Sequence, residues 1–454
     1  MDIQPPGRRP PRNAGVEMRE DGGLAAWEAG MAERHIVFAT VGSQGDLFPL
    51  LAVGRELAAR GHRVTVGAHA IHREAVLDAG LEFVMASGIA EPEDKAAFAA
   101  RAFHPWRGPR FVVRDLAAAD VAASYHTLKT FCTEADALVT TTLAFAGQIL
   151  GETLPLAWFS AVLSPSVFLS PLDPPATGLG RLDRWLGREP SRARWLVRLV
   201  EAVTRPWTSN VRTFRRSLGL APTGPNGDPF HRGQHGRDGV LAMYSPLLGA
   251  LPADAPPGTL LTGQCRYLPA ADVLDPGLSH WLAAGEPPLV FTLGSAAVHA
   301  GEGFLRESIA AARMLGRRAV LLTGSPELRE RLGDLSDDML AVDYASHGAL
   351  FARACAVIHH GGIGTTQEAL RAGRPALVVP HGFDQPDNAA RVKRLGTGDV
   401  LPAGRYNAHR AAAKLKTLLN DPAVCARAEA IGCALREENG ARIAADTIES
   451  RLPP

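Results

Sequence analysis

The chain has 454 residues, of which 46% are hydrophobic and 21% charged, with a formal net charge of +1. That length suffices for two domains with separate cores, and the balanced charge excludes the overall basic pull of a nucleic-acid-binding protein. The five cysteines, Cys132, Cys265, Cys355, Cys425 and Cys433, form no CxxC pair and no zinc-type spacing with histidine. They read as small buried residues in a reducing cytosol.

Residues 1–33 are rich in Pro, Gly and Arg and lack the apolar stretch of a signal peptide, so a disordered or non-native tail is expected. An apolar run, His35 to Thr40, then leads into the turn Val41-Gly42-Ser43-Gln44-Gly45-Asp46. The following helical pattern sets Leu50, Val53, Leu57 and Ala58 on one face and stops at Gly61. His62 to Ala68 supplies a second strand, completing a β-α-β unit. The first turn is not GxGxxG and no acid closes the second strand, where His69 and His72 stand instead. A dinucleotide site therefore lacks its fingerprint.

Further strands are expected at Leu81–Met85, Ala137–Thr141 and Leu156–Ser160, with an Ala-rich helix from about Pro92. Such alternation indicates a parallel sheet. Leu154 to Leu172 carries no charge, but Pro155, Pro165 and Pro171 favour a strand and pocket-lining loop over a membrane span. Trp106, Phe145, Phe159 and Phe168 are candidates for the wall of an apolar pocket, with ordinary core as the alternative. Residues 181–216 hold ten Arg against three acids, with Trp185, Trp195, Leu199 and Trp207 among them. They read either as a solvated helical face packing its Trp inward or as a basic amphipathic surface for an anionic membrane.

Gly239–Ser245 is expected to be the last strand of a first domain, 34–247, with a linker over 248–287 that starts Pro-rich. A second series over 288–435 begins with Leu289–Leu293 and Gly294-Ser295, continues through Phe304–Leu315 and Arg318–Thr323, and reaches Asp343-Tyr344 after Met339–Val342. Ala356–Ile358 then runs into His359-His360-Gly361-Gly362-Ile363-Gly364-Thr365-Thr366 at a helix N-terminus. Free amides there suit a phosphate. After the strand Pro375–Pro380, a loop offers Asp384, Gln385, Asp387 and Asn388 to a hydroxyl-rich ligand. A diphosphate site beside a polyol site suggests a nucleotide-sugar. Helices are expected at Asn388–Leu395, Ala408–Leu419 and, as one long element, Cys425–Ile448, with residues 436–454 returning to the first domain.

Four stretches together resemble the bacterial family 1 glycosyltransferases of the GT-B fold: GSxGDxxP at Gly42–Pro49, FTLGS at Phe291–Ser295, HHGGxGTTxEAL at His359–Leu370 and PxxxDQPxNAxRV at Pro380–Val392. The similarity runs from His35 to about Leu452, and its wording is most similar to the rhamnosyltransferase chain of rhamnolipid synthesis, with sterol and macrolide glycosyltransferases as relatives. It implies an α/β architecture of two Rossmann-like doubly wound domains facing across a cleft. It also implies Asp46 as catalytic base, against the alternative of a helix N-cap. His359 corresponds to the diphosphate contact, assisted by Gly361, Gly362, Gly364, Thr365 and Ser295. Tyr344 occupies the base-stacking position, and Asp384 with Gln385 the sugar-binding pair. A Tyr-Ala-Ser-His run replaces the Trp-x-Pro-Gln of uridine-type donors, which leaves dTDP open.

The resemblance further implies an inverting, metal-independent transfer with no cofactor beyond the nucleoside-diphosphate sugar. The first expectation is a hexose, such as rhamnose from dTDP-rhamnose, moved to a hydroxyl of a lipophilic acceptor such as a hydroxyalkanoyl lipid. The alternative is UDP- or dTDP-glucose-dependent transfer to a sterol, polyketide or other natural product. A GT-B-fold sugar-nucleotide epimerase and a non-catalytic binding subunit are the remaining rivals. The expected location is the cytoplasm, with contact to the inner membrane face through residues 181–216.

Overall fold

The computed structural model describes residues 33–89, 93–104, 107–187, 189–269, 273–294 and 301–452. The candidate residues Trp106 and Ser295 lie outside these.

Strand β1 (His35–Ala39) is buried on both faces, as expected of a central strand covered by helices on each side. It belongs to a sheet of order β3-β2-β1-β4-β5-β6-β7. The other members are β2 (Arg63–Ala68), β3 (Glu82–Met85), β4 (Ala137–Thr140), β5 (Ala157–Val162), β6 (Gly239–Ala242) and β7 (Thr259–Leu261). A second sheet has the order β10-β9-β8-β11-β12-β13. It comprises β8 (Leu289–Thr292), β9 (Ala319–Leu322), β10 (Met339–Val342), β11 (Ala356–His359), β12 (Ala376–Val378) and β13 (Gly398–Val400). Neighbouring strands are parallel throughout both sheets. The strand order reverses between β1 and β4 and again between β8 and β11. Ligands bind outside the carboxyl ends of parallel strands at such reversals. The Gly42–Asp46 turn follows β1, and the His359 turn closes β11.

Two expected boundaries are corrected. The span read as linker contains β7, which pairs Thr259 with Val240 and extends the first sheet. It also contains the helix Pro276–Ala283, whose Leu278 and Leu282 pack into the second-domain core beside Val290 and Val320. The single long final helix is in fact two, Pro422–Arg436 and Gly440–Ser450. The break falls where the Glu438 carboxylate accepts from Ser245 Oγ at 2.6 Å and from the Gln264 amide at 2.9 Å. A Cβ at Gly440 would press on the Gly263 backbone, so glycine there lets the second helix start close against that segment. Beyond the break, Ala441, Ala444, Ala445 and Ile448 join Leu47, Leu50 and Leu51 in the first-domain core.

The uncharged stretch from Leu154 is β5 followed by a loop, and among the described residues no helix is long and apolar enough to cross a membrane. The cysteines are only partly as expected: Cys132 and Cys265 are buried, Cys355 and Cys425 half-buried, and Cys433 exposed.

Candidate active site

On the first-domain side, the helix Gln44–Ala59 starts with a reciprocal capping box. Ser43 is the N-cap, and its Oγ accepts from the Gly45 amide at 3.2 Å. Asp46 sits in the first turn, three residues on, where its Oδ2 accepts from the Ser43 amide at 2.8 Å and from Ser43 Oγ at 3.2 Å. Asp46 is therefore not the N-cap itself; it closes the box from the other end. Gly42 carries φ +149, and a Cβ there would collide with the Asp46 carboxylate. His72 Nε2 donates to the Gly42 carbonyl at 3.0 Å, fixing the turn from the end of β2. Burial raises the pKa of Asp46 above the ordinary carboxylate value, and the Ser43 hydrogen bonds pull the other way. A carboxylate so poised is a stronger base than one in water.

Facing the cleft from the second domain, the helix Ile363–Arg371 begins at Gly362, which offers no side-chain cap. Its first-turn amides stay open to an anion. Gly361, with φ +92, lets the backbone turn sharply, and its amide donates to His359 Nδ1 at 3.1 Å. His359 is thereby held as the tautomer with its proton on Nε2. Burial, aided by nearby His347, lowers its pKa to about 3, so it is a neutral donor. The His360 ring fills the space where a Cβ would stand at Gly294 or Gly362. His359 Nε2, His360 Nδ1, Thr366 Oγ1 and His381 Nε2 are buried without a partner among the described residues. These polar atoms, at or just after the ends of β11 and β12 and in the first turn of the helix between them, are hydrogen-bonding groups that a polar ligand could use.

Asn388 ties the donor side together. Its Nδ2 donates to the Gly361 carbonyl at 2.9 Å and to Asp384 Oδ2 at 2.7 Å, while its Oδ1 accepts from Ser164 Oγ of the first domain at 3.3 Å. Burial lifts the Asp384 pKa to about 7; the Asn388 bond opposes this and the charge of Asp46 adds to it. Gln385 is buried, and its Oε1 accepts from the His381 and Gly382 amides at 2.8 and 3.2 Å. That oxygen shapes the loop around Phe383, which has φ +57. Tyr344 is 68% exposed just beyond β10. Thr365 is buried, and Gly364 has open space where a Cβ would go.

The domains meet through polar contacts close to these groups. Buried Arg391 reaches Asp387 and, across the boundary, Asp173, each at 2.7 Å, and Asp387 Oδ1 accepts from the Ala176 amide at 3.0 Å. The Ser245 amide donates to Gln367 Oε1 at 2.8 Å, and Arg266 pairs with Glu368 at 2.9 Å. The Phe103 ring meets Phe383 edge-on at 5.6 Å. Sequence reading assigned no role to Arg391 or Gln367, although both stand inside the quoted motifs.

The acceptor-pocket residues divide. Phe159 is core, because β5 is covered on both faces. Phe145 is also buried, but it borders a small apolar recess with Val41, Ala86, Val121, Leu128 and Leu143 at the carboxyl ends of β1 and β2. Phe168 is half-buried and stacks on His235 at 6.0 Å. The inward-packing expectation for residues 181–216 holds for Trp207 but fails for Trp185 and Trp195, which are exposed.

Comparison with known proteins bears on both halves. The glycosyltransferase family 28 N-terminal domain matches residues 36–169, and the C-terminal domain of the erythromycin biosynthesis protein CIII-like family matches residues 317–451. O-mycaminosyltylonolide 6-deoxyallosyltransferase of Streptomyces fradiae is 34% identical over 435 residues, covering 91% of this chain and 96% of that protein. Glycosyltransferase GtfE of Amycolatopsis orientalis is 31% identical over 422 residues, with the same coverage of 91% and 96%. Among solved structures, the glycotransferase of kitacinnamycin superposes with a TM-score of 0.70 at 24% identity, covering 93% of this chain and all of that one.

Proposed function

This chain belongs to the family 1 glycosyltransferases of the GT-B fold, and on that premise we propose that it moves a 6-deoxyhexose from a thymidine-type nucleoside diphosphate to a hydroxyl of an apolar natural product. The observation that carries the reading is the opposition of Asp46, after β1, to the Asp384 and His359 cluster, after β12 and β11. The charge of one carboxylate is felt by the other.

In this mechanism Asp46 takes the acceptor hydroxyl proton as that oxygen attacks the anomeric carbon. The bond to the diphosphate breaks on the opposite face of the sugar, inverting the anomeric centre. Charge growing on the leaving phosphate is met by the open amides after Gly362, by His359 Nε2–H and by the Thr366 hydroxyl. Ionised Asp384 accepts from the sugar hydroxyls, and Tyr344 stacks on the base.

A thymidine donor is favoured by the Tyr-Ala-Ser-His run at Tyr344–His347, which replaces the uridine-type pattern. The natural-product acceptor is favoured over the hydroxyalkanoyl lipid by the relative whose name specifies a 6-deoxyallosyl group and O-mycaminosyltylonolide. The deciding experiment offers dTDP-rhamnose, dTDP-glucose and UDP-glucose with polyketide, sterol and hydroxyacyl-lipid acceptors, read by mass spectrometry. Product on polyketides from a dTDP donor is expected; product only on hydroxyacyl lipids, or only from UDP-glucose, overturns the assignment. Nucleotide-sugar consumed with no acceptor present would indicate an epimerase.

A further inference from the structure

The helix Pro190–Thr204 buries Ala193, Val197 and Thr204 against its domain. Its outward side carries Trp195 at 59%, Leu199 at 42% and Val203 at 58% exposure. These three are spaced at i, i+4 and i+8, so they form one apolar line along the helix. At the preceding helix Gly180–Leu186, Trp185 and the N-cap residue Leu179 are also exposed, with the Arg192 guanidinium lying over the Trp185 ring at 4.9 Å. Arg194 and Arg198 run alongside the line, with Arg181, Arg184 and Arg205 near its ends. None of these five pairs with a carboxylate among the described residues. Of the nearby acids, Asp183 accepts from the Thr177 amide and hydroxyl and Glu189 pairs with Arg192, while half-buried Glu201 acts on His231 and is the one acid of the helix beside the line.

We infer that this face docks on an anionic lipid surface, with Trp195, Leu199 and Val203 at the headgroup boundary and the arginines on the lipid phosphates. A convex apolar line bordered by unpaired cations needs a partner that is both apolar and anionic. A lipid bilayer surface is both. A second copy of this chain would bring its own arginines against these, which disfavours a symmetric pairing. Tryptophan also favours the level where an apolar ring and a polar edge are both satisfied. The inference holds whichever acceptor the cleft takes.

The test is co-sedimentation of the full chain with vesicles of phosphatidylcholine alone and of phosphatidylcholine with phosphatidylglycerol. Retention is expected on the anionic vesicles only, weakening as salt is raised. Arg194→Gln with Arg198→Gln should cut partitioning roughly 25-fold, taking about fivefold per basic residue at the surface. Trp195→Glu with Leu199→Glu should reduce it at least as far, with the thermal midpoint in solution unchanged. No retention, equal retention on neutral vesicles, or wild-type retention of both variants would overturn the inference. So would an oligomer that ultracentrifugation finds dissociated by Trp195→Glu with Leu199→Glu, since the face would then belong to a second copy.

Discussion

Asp46 and Asp384 belong to different domains, yet the charge on Asp46 helps to raise the pKa of Asp384 to about 7. Both groups must be ionised for the proposed transfer, Asp46 to take a proton and Asp384 to accept from sugar hydroxyls. A raised carboxylate pKa means the protonated form persists to higher pH, so activity should fall as pH drops through neutrality. The apparent values belong to the pair, because the two titrations are coupled. In Asp384→Asn one titration and one negative charge disappear. The acid limb of kcat/KM should then move to lower pH, on a lower plateau; an unmoved limb would rule out Asp384 as its source.

The same shift has a stability consequence. Its main cause is burial, which makes ionisation harder in the folded state than in the unfolded chain. Below the unfolded carboxylate value of 3.8 neither state is charged and nothing is lost. As pH rises toward about 7 the unfolded state gains from ionising and the native state does not, so stability declines and then levels off. Asp384→Asn should therefore raise the thermal midpoint at about pH 8 and leave it little changed near pH 4. Calorimetry at the two pH values checks this, and an equal gain at both would refute the linkage.

Asp46→Asn and His359→Ala should fail in different ways. Loss of the base should lower transfer by about 10²–10⁴-fold while donor affinity changes only a few-fold. Loss of the Nε2–H donor should lower it by ~10²-fold, and the defect should appear in donor use. Titrating each variant with nucleotide-sugar separates them. Equal loss of donor affinity in both would end the division of roles.

Gly42→Ala displaces the Asp46 carboxylate without changing its chemistry. The added Cβ would occupy the space of the Asp46 side chain, at a φ of +149 that alanine rarely adopts. The expected outcome is a loss of transfer approaching that of Asp46→Asn, with nucleotide-sugar affinity retained. Near-normal turnover would mean that the carboxylate position is unimportant.

Arg391→Met should destabilise the fold. It leaves Asp387 buried beside no cation and removes the reach to Asp173. Breaking a buried pair from one side costs roughly 3–5 kcal/mol. Denaturant unfolding measures this directly, and a loss below about 1 kcal/mol would show that solvent reaches Asp387.

Much of this was readable because parallel sheets leave a strong local imprint. Strands such as β1 and β11 are largely apolar runs, and each is followed within three residues by a glycine where the backbone must turn toward the cleft. Asp46 comes four residues after Gly42 and His359 two before Gly361, so their positions came with the strands. β7 left no such imprint: its three half-buried residues after a Pro-rich loop are held by pairing with β6 and by Leu261 packing beside Val240 and Tyr244. Phe159 could not be told from a pocket wall, because aromatic content alone does not say which layer covers a strand. The role of Asn388 depends on Gly361 and Ser164, and on a bond reaching 224 positions along the chain. For Trp195 the sequence leaves both the inward-packed and the surface reading open, because local sequence does not reveal which side of the helix its domain covers.

The terminal helix Gly440–Ser450 has a consequence for biosynthesis. Ala441, Ala444, Ala445 and Ile448 complete a core begun by Ile36 and Phe38. The amino-terminal domain, though translated first, cannot finish its interior until these residues leave the ribosome. The second domain can assemble while the first waits with apolar surface uncovered, a state that chaperones would be expected to shelter.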